Sequence, residues 1–352
     1  MFAAARLRGV SLEHILDFSA NINPLGPSPK ALRRLRRDLA LIRFYPDTET
    51  RELRHLVAKQ TAIQDDCILF GNGATALLHL IPRVLKPRTA VVLEPGFSEY
   101  SSALEQEGCR IDRLLLSPET RFQLKGEVLF EKLQHVRPDL LILGNPNNPT
   151  GNVLPRRLLT QLIHMCSERS IHLVLDESFI DFAPYPSLAF EAAKHPGIVV
   201  VRSLTKFWAL PGLRVGYLVA HRALVEKLSA RCEPWSVNLL ASAAAAESLR
   251  DLKYRDKTLN LIRRERTFLT DQLAALPWLE PLPSEANFLL VRILTPRITS
   301  TDLCEKLEQR NILIRDASSF PSLGRRYFRI AVRSRSDNQR LIDELRAISN
   351  AE

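Results

Sequence analysis

Short apolar runs alternate with segments of helical period along most of this chain. The runs at 67–70, 90–94, 110–116, 140–143, 171–175, 198–201 and 215–219 are each too short for a buried helix. They predict seven strands. Helical segments lie between most of them, most clearly at 74–85 and 155–169. Strands alternating with helices imply a mainly parallel sheet covered by helices on both faces. Residues 239–276 then read as one long helix, in which the run 241–246 is almost all alanine and suits close packing. Around 277–283 prolines gather, which predicts a hinge. A smaller α+β unit is expected beyond it: strand 288–293, helix 301–310, strands 312–315 and 326–332, and helix 337–348. The expected organisation is an N-terminal arm at 1–38 packing with the small domain, a large α/β domain at 39–276, and a small domain at 277–352.

The turn chemistry at the strand ends carries the functional signal. In an α/β sheet, ligands bind beyond the carboxyl ends of the strands. Four such ends carry polar groups. The first strand runs into Gly71-Asn72-Gly73-Ala74-Thr75, a Gly-rich turn opening a helix, which makes a phosphate cradle. The run 140–143 leads into Gly144-Asn145-Pro146-Asn147-Asn148-Pro149-Thr150-Gly151, a stiff loop in which Asn148 can donate an amide hydrogen bond. The strand 171–175 ends in Asp176-Glu177, and the strand 198–201 in Ser203-Leu204-Thr205-Lys206, with Arg214 a short way on.

Each piece has an ordinary reading too. A lysine beside a Pro-Gly turn can be a solvated loop charge, and an aspartate at a strand end can cap the next helix. Together, a phosphate cradle, an amide, an acid and an amine suit an anionic carbonyl cofactor such as pyridoxal 5′-phosphate, which a lysine binds as a Schiff base.

Composition narrows the class. The chain has 352 residues, 45% hydrophobic and 25% charged, which is ordinary for a globular enzyme of more than one lobe. The first ten residues do not read as a secretory signal, and no run approaches membrane-spanning length. Five scattered cysteines, with no Cys-x-x-Cys pair, read as reduced thiols and not as a metal site; the expected location is the cytoplasm. The net charge of +10 gathers at Arg33-Arg34-Leu35-Arg36-Arg37, Arg263-Arg264-Glu265-Arg266 and Arg325-Arg326. No nucleic-acid motif accompanies these clusters, so they read as solvated helix surfaces whose field can steer anionic ligands.

The segments 144–151, 176–177 and 203–217 resemble the fold-type I pyridoxal-phosphate enzymes of the aspartate aminotransferase superfamily. Within the branch that holds histidinol-phosphate aminotransferases and threonine-phosphate decarboxylases, Asp17-Phe18-Ser19-Ala20-Asn21-Ile22-Asn23-Pro24, Phe179-Ile180-Asp181-Phe182 and the stretch 328–340 resemble the decarboxylases most. The likeness runs from about residue 15 to 348. It implies that Lys206 is the Schiff-base lysine, Asp176 the partner of the pyridine nitrogen and Asn148 the partner of the ring oxygen. Gly73, Ala74, Thr75, Ser203 and Arg214 would hold the cofactor phosphate, with Phe97 stacked on the ring. Tyr45 would reach the cofactor of a partner subunit in a homodimer. Arg329 would bind the substrate's α-carboxylate, with Arg333 and Asn23 as further substrate contacts. The implied activity is decarboxylation of L-threonine O-3-phosphate for cobalamin biosynthesis, with histidinol-phosphate transamination as the alternative. A regulatory module without turnover is disfavoured by the joint presence of Lys206, Asp176 and Arg329. Phe179 departs from many relatives, which carry a tyrosine there.

Overall fold

The computed structural model describes residues 1–350. Its centre is a sheet of seven strands: β1 (Ile68–Gly71), β2 (Thr89–Glu94), β3 (Arg110–Leu115), β4 (Leu140–Gly144), β5 (His172–Asp176), β6 (Ile198–Ser203) and β7 (Gly216–Ala220). Their order across the sheet is β1-β7-β6-β5-β4-β2-β3. Six run parallel and β7 runs against them. Strands β4 and β6 are buried at every position, as expected of strands covered on both faces, whereas β3 at the edge is largely open. Helices Ala74–Leu85 and Arg222–Ser229 cover one face; Gly126–Val136 and Arg156–Glu168 cover the other.

The direction of β7 matters for the site. Because it is antiparallel, its beginning lies at the edge where its neighbours end: Gly216 pairs with Ser203 of β6 and with Gly71 of β1. Arg214, which precedes β7, therefore arrives beside Lys206 and the Gly-rich turn. Gly144 likewise pairs with Asp176 across β4 and β5. All four loops thus meet at one sheet edge.

Three elements differ from expectation. The long helix is two, Leu239–Arg250 and Leu252–Ala274, broken at Asp251. Asp251 is buried, with ψ 72°, and its carboxylate accepts from Ser28 Oγ at 2.5 Å and pairs with Lys30 at 3.3 Å. Ser28 caps helix Pro29–Asp38, so the break ties that helix to the large lobe. The proline-rich stretch contains a short strand, Leu279–Pro281. The run 312–315 divides between two sheets: Ile312–Leu313 pairs in parallel with Leu16–Asp17, and Arg315–Asp316 pairs with Tyr327–Ala331.

The C-terminal lobe is an antiparallel sheet of Arg315–Asp316, Tyr327–Ala331, Phe288–Ile293 and Leu279–Pro281, in that order, backed by helix Arg335–Asn350. The N-terminal segment joins it closely. Phe18 is fully buried, accepts from Ala331 N at 2.8 Å and donates to Leu313 O at 2.7 Å. Burying such a ring contributes about 1.5–3 kcal/mol. Five residues later Asn23 N donates to Lys206 O at 3.1 Å. The arm therefore bridges the lobes directly across the sheet edge.

Candidate active site

A cavity of about 370 Å³ opens where the strand-end loops, the arm and the C-terminal sheet meet. Ala74, Thr75, Phe97, Asn148, Asp176, Ser203, Lys206, Arg214 and Arg329 all line it.

One side is built for an anion. Helix Ala74–Leu85 begins there with no side chain capping its N–H groups. Gly73, at φ +82°, does not line the cavity but supports it: a Cβ there would lie 2.6 Å from Arg214 Nη2. Among the described residues, Arg214 has no acidic partner and its guanidinium no hydrogen bond. Ser203 Oγ and Thr205 Oγ1 lie 2.7 Å apart beside it. Uncapped amides, hydroxyls and an uncommitted guanidinium are groups that can hold a phosphate.

Lys206 lies next to this group, its Nζ donating to Thr205 Oγ1 at 3.2 Å. Burial pushes its amine below the usual lysine value; Asp176 opposes that shift, while Arg214 and Arg329 add to it. A desolvated lysine that gives up its proton readily is suited to attack a carbonyl.

Asp176 closes the floor. It is 6% exposed, and its Oδ1 accepts from Ser178 N at 2.9 Å and Ser178 Oγ at 2.5 Å. Its Oδ2 accepts from Tyr100 OH at 2.8 Å. Glu177 is turned away, as alternation along a strand requires. It is fully buried, accepts from Leu188 N at 2.9 Å and from Ser187, and faces Arg202 at 3.5 Å; burial raises its carboxyl above the usual range. Its role is structural.

Opposite the phosphate side, Arg329 reaches in from Tyr327–Ala331. Its Nη1 donates to Asn148 Oδ1, its Nη2 to Ser19 O at 2.9 Å, and its Nε has no partner. No acid pairs with it among the described residues, and burial depresses its guanidinium strongly. Arg315 is its cross-strand partner, lines the same cavity and donates to Ser319 Oγ at 3.0 Å. The cavity thus presents four cations, Lys206, Arg214, Arg315 and Arg329, against one acid, Asp176.

Besides Gly73, three expected site residues lie outside the lining. Asn23 is buried, its Nδ2 within 2.9 Å of Phe207 O, Tyr254 OH and Thr258 Oγ1, so its amide is committed to the protein. Arg333 pairs with Asp337 at 3.1 Å, donates to Asp17 O at 3.1 Å and lies over the Phe18 ring, holding the arm. Tyr45 is 80% exposed and its ring lies against Trp235, centroids 4.7 Å apart and tilted by 31°, outside the lining of this cavity. Sequence reasoning missed Tyr100 and Arg315. Tyr100 was accessible from its place three residues after Phe97, on the same side of one helix turn. Arg315 had no such signal, because only the strand register brings it to Arg329.

The aminotransferase class I and II family matches residues 13–345, and the chain belongs to that family. It is 40% identical over 349 residues to a threonine-phosphate decarboxylase of Salmonella typhimurium, covering 98% of this chain and 94% of that one. It is 31% identical to a histidinol-phosphate aminotransferase of Methanopyrus kandleri, covering 98% and 90%. The solved L-threonine-O-3-phosphate decarboxylase of Porphyromonas gingivalis superposes with a TM-score of 0.85 at 28% identity, covering 96% and 100%. Enzymes of this family work with pyridoxal 5′-phosphate, and the lining is compatible with it: Arg214 and the helix start could hold its phosphate, Lys206 its aldehyde and Asp176 its ring nitrogen.

Proposed function

We propose that this enzyme decarboxylates L-threonine O-3-phosphate to 1-aminopropan-2-yl phosphate for a corrinoid side chain, with L-serine O-phosphate as a close variant. The observation that carries the substrate class, a compound with two anionic groups, is the pair Arg329 and Arg315. They are neighbours across two strands, both line the cavity, and Arg329 is buried without an acid. A substrate with a carboxylate and a phosphate supplies two anions for two guanidiniums. We assign the α-carboxylate to Arg329 and the phosphate to Arg315, since Arg333 is committed to the arm.

Pyridoxal phosphate, when bound, supplies the electron sink that lets a bond to Cα break. The chain's residues do the rest. Arg329 would fix the carboxylate against a support of Ser19 O and Asn148, and that orientation would set which bond to Cα is presented for cleavage. Lys206, which would hold the cofactor, is also the amine that would serve as base or acid at Cα. The arm at Ser19, Ala20 and Ile22 covers the cavity and excludes water.

Glutamate's two carboxylates would also fit the pair of guanidiniums. The choice of decarboxylation over histidinol-phosphate transamination therefore rests on the 40% likeness to the Salmonella enzyme.

A homodimer is part of this proposal. Leu39, Leu41, Ile42, Phe44, Tyr45 and Trp235 form an exposed apolar surface, the kind a second copy covers. We assign Tyr45 in that surface to a partner's cofactor phosphate. A cytoplasmic location is supported by five cysteines, all unpaired, and by the absence among the described residues of a helix long and apolar enough to cross a membrane.

The test is incubation of the pyridoxal-phosphate-loaded enzyme with L-threonine O-3-phosphate and no oxo acid. Catalytic release of carbon dioxide and the amino-alcohol phosphate is expected. Glutamate formation from histidinol phosphate and 2-oxoglutarate, with no carbon dioxide from the phosphoamino acid, would reassign the enzyme as an aminotransferase.

A further inference from the structure

Tyr100 stands behind the acid on the cavity floor, and nothing in the activity above assigns it a role. It comes from helix Ser98–Gln106, one turn from Phe97, and is 4% exposed. Its ring meets Phe97 edge-on, with centroids 5.6 Å apart at 88°. Its hydroxyl donates to Asp176 Oδ2 at 2.8 Å, while Ser178 occupies Oδ1. The fold makes specific room for this hydroxyl. Gly144, the register partner of Asp176, would carry a Cβ only 3.1 Å from it.

We infer that Tyr100 is a positioning residue that fixes the orientation of Asp176 towards the ring nitrogen of the cofactor. The inference rests on the reading of this cavity as a pyridoxal-phosphate site. Three donors on one buried carboxylate leave few rotamers open to it. Burial and the neighbouring Asp176 both push the Tyr100 hydroxyl well above its ordinary value, so it remains a donor throughout the working range. Phe97, expected to stack on the ring, and Asp176, expected to pair with its nitrogen, are thereby tied through one aromatic contact. A change at Tyr100 should be felt only where the cofactor has a ring nitrogen to present.

Tyr100→Phe removes the hydroxyl and keeps the ring's packing. Wild type and variant are reconstituted with pyridoxal phosphate or with its 1-deaza analogue, in which carbon replaces the ring nitrogen. Dissociation constants are read by equilibrium dialysis, and Lys206 attachment by borohydride reduction and peptide mapping. The variant should bind pyridoxal phosphate about tenfold more weakly, bind the analogue as wild type does, and attach both at Lys206. In an Asp176→Asn background the same change should add nothing. Equal loss with both cofactors would show a merely structural tyrosine, and no loss with either would remove Tyr100 from the site; both outcomes leave the cavity's assignment standing. A wild type that fails to attach pyridoxal phosphate at Lys206 overturns that assignment and this inference together.

Discussion

Replacing Arg329 by methionine removes a buried charge while keeping most of the side chain's volume. In the free enzyme the guanidinium holds Ser19 O and Asn148, lies 5.4 Å from the Phe288 ring centroid, and has an unpartnered Nε. Bound substrate would supply the missing anion as a bidentate carboxylate. Truncating one side of a buried, hydrogen-bonded charge pair costs about 3–5 kcal/mol, within the range seen at buried interfaces. At about 1.4 kcal/mol per tenfold, kcat/KM for L-threonine O-3-phosphate should fall between about a hundredfold and a few thousandfold. The cofactor does not need Arg329, so its absorbance and its attachment at Lys206 should be retained. Stability should hold as well: the lost charge has been taken out of water with no acid to offset it, and the methionine keeps the packing. The assay is steady-state carbon dioxide release with cofactor content measured on the same sample. A kcat/KM within threefold of wild type would refute the carboxylate role.

Gly73→Ala should push Arg214 aside, because the new Cβ falls 2.6 Å from Nη2 at φ +82°; cofactor affinity should drop by about tenfold or more by equilibrium dialysis, with substrate KM little changed at saturating cofactor. Lys206 gives the cofactor-free protein a definite pH dependence. Its folded value lies below its unfolded one, so the unfolded chain binds more protons between the two, and the penalty for the buried cation is relieved as pH rises through that window. Lys206→Met should accordingly raise the melting temperature near neutral pH, and the gap should narrow as pH approaches 10.5; a gap that widens with pH would contradict the sign. Ile42→Asp with Phe44→Asp, on the exposed apolar surface, should give monomers by sedimentation and lower activity; an unchanged dimer would put the interface elsewhere.

The sheet was legible because buried parallel strands are continuous apolar runs, and runs such as 140–143 and 198–201 are bounded by turns that no helix would tolerate. The cavity was legible for the same reason: its cofactor side is a set of strand-end loops, each with its own local signature. What escaped is set by pairing between distant segments. The division of 312–315 between two sheets depends on partners some 300 residues away in sequence for Leu16–Asp17, and only that division places Arg315 beside Arg329. The break at Asp251 depends on Ser28 and Lys30. Asn23 and Arg333 were read for their polar chemistry. The structure directs that chemistry into the protein, at Phe207 and Asp17, because the arm needs fastening at both ends.

The central claim is tested most directly by following two labels at once in the substrate. L-threonine O-3-phosphate carrying ¹³C in the carboxylate and deuterium on Cα is given to the loaded enzyme, and the products are read by mass spectrometry. If Arg329 holds the carboxylate so that the Cα–carboxylate bond breaks, ¹³C leaves as carbon dioxide and deuterium stays on the amino-alcohol phosphate. If the site breaks the Cα–H bond, deuterium is lost to solvent while ¹³C remains in an oxo acid. The first partition is predicted; the second would contradict the assignment.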